Sequence, residues 1–156
     1  MEPPMLSART RAANTTVFVV DDSSEMRRYL RLLLELDCYH VETACDGSEA
    51  LRRLDEGFMP AVVLLDLQMP RLNGFRTLHR MRRLYPGLKV IICSAEDDPR
   101  KLRLAAALGA NGHLAKPVQH LYLSAALERC LDEDSEPLPN AAATVITLPA
   151  PASQNS

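Results

Sequence analysis

No run of apolar residues in this 156-residue sequence approaches the roughly 18 needed to cross a bilayer, which excludes a helical membrane span. The leading stretch MEPPMLSARTRAANTT lacks the apolar core of a secretory signal, so the chain is expected to stay in the cytoplasm. An excess of one charge is also missing. The 18 basic and 20 acidic residues leave a net charge of −2, which gives no field to draw nucleic acid or an anionic membrane. Aromatic residues are scarce, at 4%, and none is interleaved among Arg76, Arg80, Arg82 and Arg83. Those four arginines therefore read as the solvated face of an amphipathic helix rather than a nucleic-acid surface. Cysteine is limited to Cys38, Cys45, Cys93 and Cys130, with no C-x-x-C pair and no histidine at ligand spacing. Buried free thiols are expected, and neither a disulfide framework nor a zinc site. His40, His79 and His120 share no metal-ligand spacing and read as surface residues. Met59, Met69 and Met81 read as apolar filler.

What is present is an alternation of short apolar runs with longer amphipathic ones. Thr16–Val20 is continuous and β-branched, as suits a strand buried on both faces, and it ends at Asp21-Asp22-Ser23-Ser24. A helical pattern follows, with Met26, Leu30, Leu33 and Leu36 on its apolar face. Tyr39 to Ala44 reads as a second strand, and Asp46 to Glu49 as a capping box opening a helix that closes at Gly57. A third strand, Ala61 to Leu65, stops at Asp66. The loop to Gly74 then leads into a helix carrying Phe75, Leu78 and Met81. Leu88 to Cys93 is the fourth strand and stops at Ser94. Asp97-Asp98-Pro99 caps a helix that ends near Gly109. Asn111 to Ala115 is a short fifth strand ahead of Lys116-Pro117, and a last helix runs from about Gln119 to Leu131 on Leu123, Leu127 and Leu131. Helix-length crossovers between buried strands force parallel pairing with helices on both faces, a doubly wound α/β fold.

The folded body is expected over residues 15–133, between a flexible segment at 1–14 and a disordered Pro/Ala-rich tail at 134–156. Within that tail, Thr144 to Leu148 reads as linker in preference to a docking strand. Neither flank has the roughly 50 residues that a second independent domain needs.

Ligands of open parallel sheets bind beyond the carboxyl ends of the strands. Here those ends carry Asp21 and Asp22, Asp66, Ser94 and Lys116, which gathers three carboxylates, a hydroxyl and an ammonium at one edge. Crowded carboxylates raise one another's pKa unless compensated, and a single lysine leaves the cluster negative. A hard divalent cation such as Mg²⁺ is the natural remedy. Asp66, alone at the end of the central strand, is placed as a nucleophile toward phosphorus, so the chemistry reads as phosphoryl transfer.

The stretches VFVVDDSSEMRRYL, VVLLDLQMPRLNGF, VIICSAEDD and LGANGHLAKP, in this order and spacing, resemble the receiver domain of two-component response regulators. The resemblance covers the whole expected body. It implies a flavodoxin-like sheet of strand order 2-1-3-4-5, with Asp66 as phosphoacceptor. Asp22 and Asp66 would ligate Mg²⁺ directly, Asp21 mainly through water, and Gln68 through its backbone carbonyl. Lys116 would pair with the phosphoryl group, Ser94 would hydrogen-bond it, and the small Ala95 would let it approach the backbone. The Lys116–Pro117 bond would be cis. Gln68 and Glu96 fall where family members tune phosphoryl lifetime. The sequence departs from the family at His113, where a tyrosine or phenylalanine usually acts as a rotating switch residue together with the residue at Ser94. Imidazole there reads as a tolerated ring substitution, with pH sensitivity as the sharper alternative.

The resemblance thus implies a stand-alone receiver that takes a phosphoryl group from a histidine kinase or histidine phosphotransfer protein. It would catalyse only its own phosphorylation and dephosphorylation, and signal to an effector protein through the fourth helix, fifth strand and fifth helix. Helix one and the site loops would dock the kinase. A phosphorylation-dependent homodimer is compatible with it; a direct nucleic-acid or membrane partner is not expected. Leu121 and Tyr122 stand off the core face of the last helix, serving either a partner surface or a sheet edge. Two other readings exist: a phosphorylation-independent scaffold, and a phosphohydrolase of the haloacid dehalogenase type. The latter places D-x-D after its first strand, whereas Asp21 and Asp22 are adjacent here.

Overall fold

The computed structural model describes residues 11–69, 73–95 and 98–132. Glu96, the segment 1–10 and the tail with its Thr144 to Leu148 stretch lie outside the described residues.

From Thr16 onward, the described residues alternate five strands with five helices in chain order: β1 (Thr16–Val20), α1 (Ser24–Leu36), β2 (His40–Ala44), α2 (Gly47–Asp55), β3 (Val62–Asp66), α3 (Gly74–Leu84), β4 (Lys89–Ser94), α4 (Pro99–Ala107), β5 (Gly112–Ala115) and α5 (His120–Leu131). The strands form one parallel sheet in the order β2-β1-β3-β4-β5. This is the expected doubly wound architecture. The central strand β3, VVLLD, is buried at every position because both of its faces are covered.

Alternation along the strands divides the core into two layers. Phe18, Val20, Val63, Leu65, Val90 and Ile92 pack against α2, α3 and α4. Val17, Val19, Val62, Leu64, Ile91 and Cys93 pack against α1 and α5. Each fully buried Leu, Ile or Phe contributes about 1.5–3 kcal/mol relative to an exposed one, so these layers dominate the stability.

Helix starts follow the capping signals. Asp46 Oδ1 accepts from Glu49 N at 2.8 Å while Glu49 Oε2 accepts from Cys45 N at 2.8 Å, a variant of the expected capping box in which the returning bond goes to the residue before the cap. Asn73 and Asp98 cap α3 and α4 by accepting from Arg76 N and Arg100 N respectively, with Pro99 in the first turn of α4. Gly57 and Gly109, just beyond α2 and α4, take φ of +101° and +100°, values that only glycine adopts without steric cost.

Four details differ from the sequence reading. Leu36 is 63% exposed, because the core stripe of α1 runs through Leu30 and Leu34 with Met26 and Leu33 at its margin. Cys93 and Cys130 are buried, but Cys38 and Cys45 are exposed in turns beyond the apolar elements; all four thiols are free. Met59 projects from the loop before β3 and fills no core position. Residues 11–14 are seated on the body: Ala12 is buried beside α5, and Arg11 Nη1 donates to Leu131 O at 3.5 Å.

Candidate functional site

The carboxyl ends of β1, β3, β4 and β5 converge because parallel strands in register finish at one edge. Asp66 pairs with Cys93 across β3 and β4, and Ser94 with Ala115 across β4 and β5. Asp21 follows β1 directly, and its backbone N–H is fixed by Ala44 O. Carboxylate oxygens of Asp21, Asp22 and Asp66 all lie within 4.8 Å of one another. Asp21 and Asp66 are buried and Asp22 is exposed, so the cluster opens to solvent on one side.

Lys116 closes the buried side. Its Nζ lies 2.9 Å from Asp21 Oδ2 and 3.5 Å from Asp66 Oδ2. Its backbone N–H donates to Ser94 O, and the following bond to Pro117 is cis, as expected. The second oxygens of the two buried aspartates are held by their own turns: Ser23 N donates to Asp21 Oδ1 at 2.9 Å and Gln68 N to Asp66 Oδ1 at 3.0 Å. Asx turns of this kind fix a carboxylate's direction without neutralising it.

The electrostatics follow from this geometry. Burial pushes the Asp66 carboxyl up to about 6; Asp21 and Asp22 add to the rise, while the Gln68 N–H and Lys116 oppose it. Burial pulls the Lys116 ammonium down, but its hydrogen bond to Asp21 and the charges of Asp21 and Asp66 outweigh that, so its pKa stands above the ordinary value. One ammonium against three carboxylates leaves an oxygen-only anionic donor set. That set fits a hard divalent cation of the Mg²⁺ kind and no soft metal.

Ser94, at the end of β4, is fully buried, and Ala95 beyond it is exposed at the same edge. Gln68 is exposed beside Asp66. His113 is on β5, buried, facing the layer under α4. Two positioning features were not legible in the sequence. Arg27 Nη1 donates to Asp21 O at 2.7 Å, bracing the acidic turn, yet nothing distinguishes it in sequence from Arg28 and Arg31. At Gly74 a Cβ would lie 2.4 Å from both Asp66 O and Leu67 Cα, so the first turn of α3 rests directly on the backbone that carries Asp66.

A doubly wound sheet with an acidic cluster and a lysine at its carboxyl edge defines a class that known proteins resolve further. Residues 17–128 match the family model of the response regulator receiver domain. The chain is 36% identical over 124 residues to the transcriptional regulatory protein CpxR homolog of Haemophilus influenzae, covering 80% of this chain and 53% of that protein. It is 32% identical over 103 residues to the chemotaxis protein CheY of Halobacterium salinarum, covering 66% and 85%. Among solved structures, chemotaxis protein CheY4 of Vibrio cholerae superposes with a TM-score of 0.71 at 33% identity, covering 75% of this chain and 98% of that one. A receiver domain protein from Clostridium thermocellum gives 0.71 at 33%, covering 76% and 94%. The chain belongs to the response regulator receiver domain family. It spans about half the length of the Haemophilus relative. Among the described residues, no helix is long and apolar enough to cross a membrane.

Proposed function

We propose that this chain is a phosphorylation switch in which Asp66 accepts a phosphoryl group from a histidine kinase or a histidine phosphotransfer protein. The observation that carries it is the placement of the Asp66 carboxylate: buried, 3.5 Å from the Lys116 ammonium, inside a three-carboxylate cluster. In the proposed step an Asp66 oxygen attacks phosphorus, an O–P bond forms, and the donor's P–N bond breaks. The imidazole leaves with the electron pair and takes up a proton. Lys116 then exchanges part of its pairing with Asp66 for the phosphoryl oxygens, Ser94 offers its hydroxyl, and the backbone at Ala95 lies open to the group because that residue has no bulk. Asp21, Asp22 and Asp66, with the Gln68 carbonyl, would hold Mg²⁺. When bound, the ion supplies the positive charge that the developing phosphoryl charge requires. Water later hydrolyses the acyl phosphate, so the chain turns over only its own modification.

The output in this reading is a change in which effector protein binds, with Ser94 and His113 rearranging beneath α4, β5 and α5, and with a phosphorylation-dependent homodimer as one form of it. The switch comprises residues 15–133 and works in the cytoplasm. A phosphorylation-independent scaffold has no need for a buried, mutually repelling carboxylate cluster, which destabilises the fold it sits in. Incubation with radiolabelled acetyl phosphate and Mg²⁺ is expected to label the native chain and leave Asp66→Asn unlabelled. Persistent labelling of the variant overturns the assignment.

A further inference from the structure

His113 poses a problem that the phosphorylation switch does not solve. It is 4% exposed, and both of its ring nitrogens are buried without a hydrogen-bond partner. No other side-chain nitrogen or oxygen among the described residues is in that condition. A neutral imidazole always has one N–H to donate and one lone pair to accept, and a buried polar group with neither satisfied is rare enough to need a reason.

The ring's surroundings give it no remedy. It sits in register with Ile92 of β4 and faces Leu102, Ala105 and Ala106 of α4 across an apolar cavity of about 10 Å³. That volume is about one water, but a buried water needs two to four polar partners and the imidazole is the one polar side chain lining the space. The charged residues of α4, namely Arg100, Lys101 and Arg103, are exposed. On the α5 side of β5, His113 also borders a groove of about 220 Å³ lined by Asn111, Ala125, Ala126, Arg129 and Cys130, yet both ring nitrogens stay buried. Beyond β5, Lys116 is committed to Asp21 and Asp66. Among the described residues, Arg129 is the one charged residue lining either space, and no carboxylate does.

The helix above the ring also buries the fewest side chains of the five. Ala105 is the single buried side chain of α4, whereas α1 buries Leu30 and Leu34, α3 buries Thr77, Leu78 and Met81, and α5 buries Leu123, Leu127 and Cys130. A cation formed at His113 faces no carboxylate among the described residues that line these spaces, and the helix above it buries a single side chain.

We propose that His113 is a proton-operated latch for α4: neutral, it fills the slot beneath Ala105 and Ala106; protonated, it leaves the slot and α4 loosens from the sheet. Burial alone lowers the ring's pKa from 6.5, so the closed form is complete above about pH 6.5 and is lost as pH falls toward the lowered folded value. The latch does not depend on Asp66 being phosphorylated.

Amide hydrogen exchange of the full chain at pH 7.5 and 5.5, corrected for intrinsic exchange, tests it. Asp66 titrates in the same window, so every chain carries Asp66→Asn. The Leu102–Ala107 amides are expected to lose protection at least fivefold at the lower pH with His113 present, and less than twofold in His113→Phe and in His113→Gln. Gln keeps a polar side chain without a titrating ring, and exchange in β1 and β3 shows which variants are folded. An equal loss with and without His113, or a loss spread evenly over the whole chain, overturns the latch.

Discussion

Asp66 is held at the end of β3 in surroundings that its own charge opposes. Its carboxyl, pushed up to about 6 chiefly by burial, binds a proton more tightly in the folded chain than in the unfolded one, where the ordinary value is 3.8. A raised carboxyl stabilises the fold while protonated and loses that contribution as pH rises through the folded value. At 1.36 kcal/mol per unit, the charged form costs about 3 kcal/mol above pH 7. Asp66→Asn is therefore expected to stabilise the chain by about 2–3 kcal/mol at pH 7.5 and to give almost no gain near pH 4, as read by urea unfolding. A gain of the same size at both pH values would refute this account. Millimolar Mg²⁺ is expected to narrow the difference at pH 7.5, since it relieves the repulsion in the native chain alone. The thiols divide on similar grounds: burial pushes Cys93 up to about 12, leaving it protonated and inert beside the site.

At the scale of elements, the site depends on how closely α3 approaches the loop after β3. Gly74 N donates to Leu67 O, and no side chain fits between the helix and the Asp66 backbone. Gly74→Ala is expected to destabilise the chain by about 1–3 kcal/mol, the usual range for overpacking, and to slow acetyl phosphate labelling several-fold. Gly87→Ala is the matched control, because a Cβ there meets nothing within 4 Å. Equal effects of the two substitutions would show that close approach is not what Gly74 provides. Helix starts were legible from single residues, since a cap is a contact between positions two or three apart, as in Asp46 with Glu49. The buried face of α1 was less so. Leu33 and Leu36 are equally apolar, and which of them meets the sheet depends on how the helix is rotated against β1 and β2.

Across the whole molecule, the segment before β1 belongs to the packed body. Thr15 Oγ1 donates to Arg11 O, Thr15 O accepts from His40 N, and Ala12 fills a gap beside α5. A fragment spanning 11–133 is expected to melt within about 2 °C of the full chain. One spanning 16–133 is expected to melt several degrees lower, since about 1 kcal/mol shifts a domain of this size by a few degrees. Calorimetry of the two fragments decides it, and identical melting would return residues 11–14 to the linker. Distant clasps also join α1 and its C-cap to α5 and the turn before it. Tyr29 Oη donates to Val118 O at 2.7 Å, and Asp37 meets both His120 and Ser124 of α5. None of these pairs, separated by more than 80 residues, has a local signal.

The alternation of apolar runs with amphipathic ones, and the residue types at each run's end, settled by themselves the fold class and the gathering of Asp21, Asp22, Asp66, Ser94 and Lys116. Period and strand-end chemistry are local properties, and parallel pairing then forces the ends to one edge. Only the tertiary structure decided that Lys116 stands closer to Asp21 than to Asp66, that burial dominates the Asp66 carboxyl, that Arg27 and not its neighbours braces the site, and that His113 is left without a partner. Each of these depends on distances and solvent exclusion set jointly by segments far apart in the chain, which no local pattern encodes.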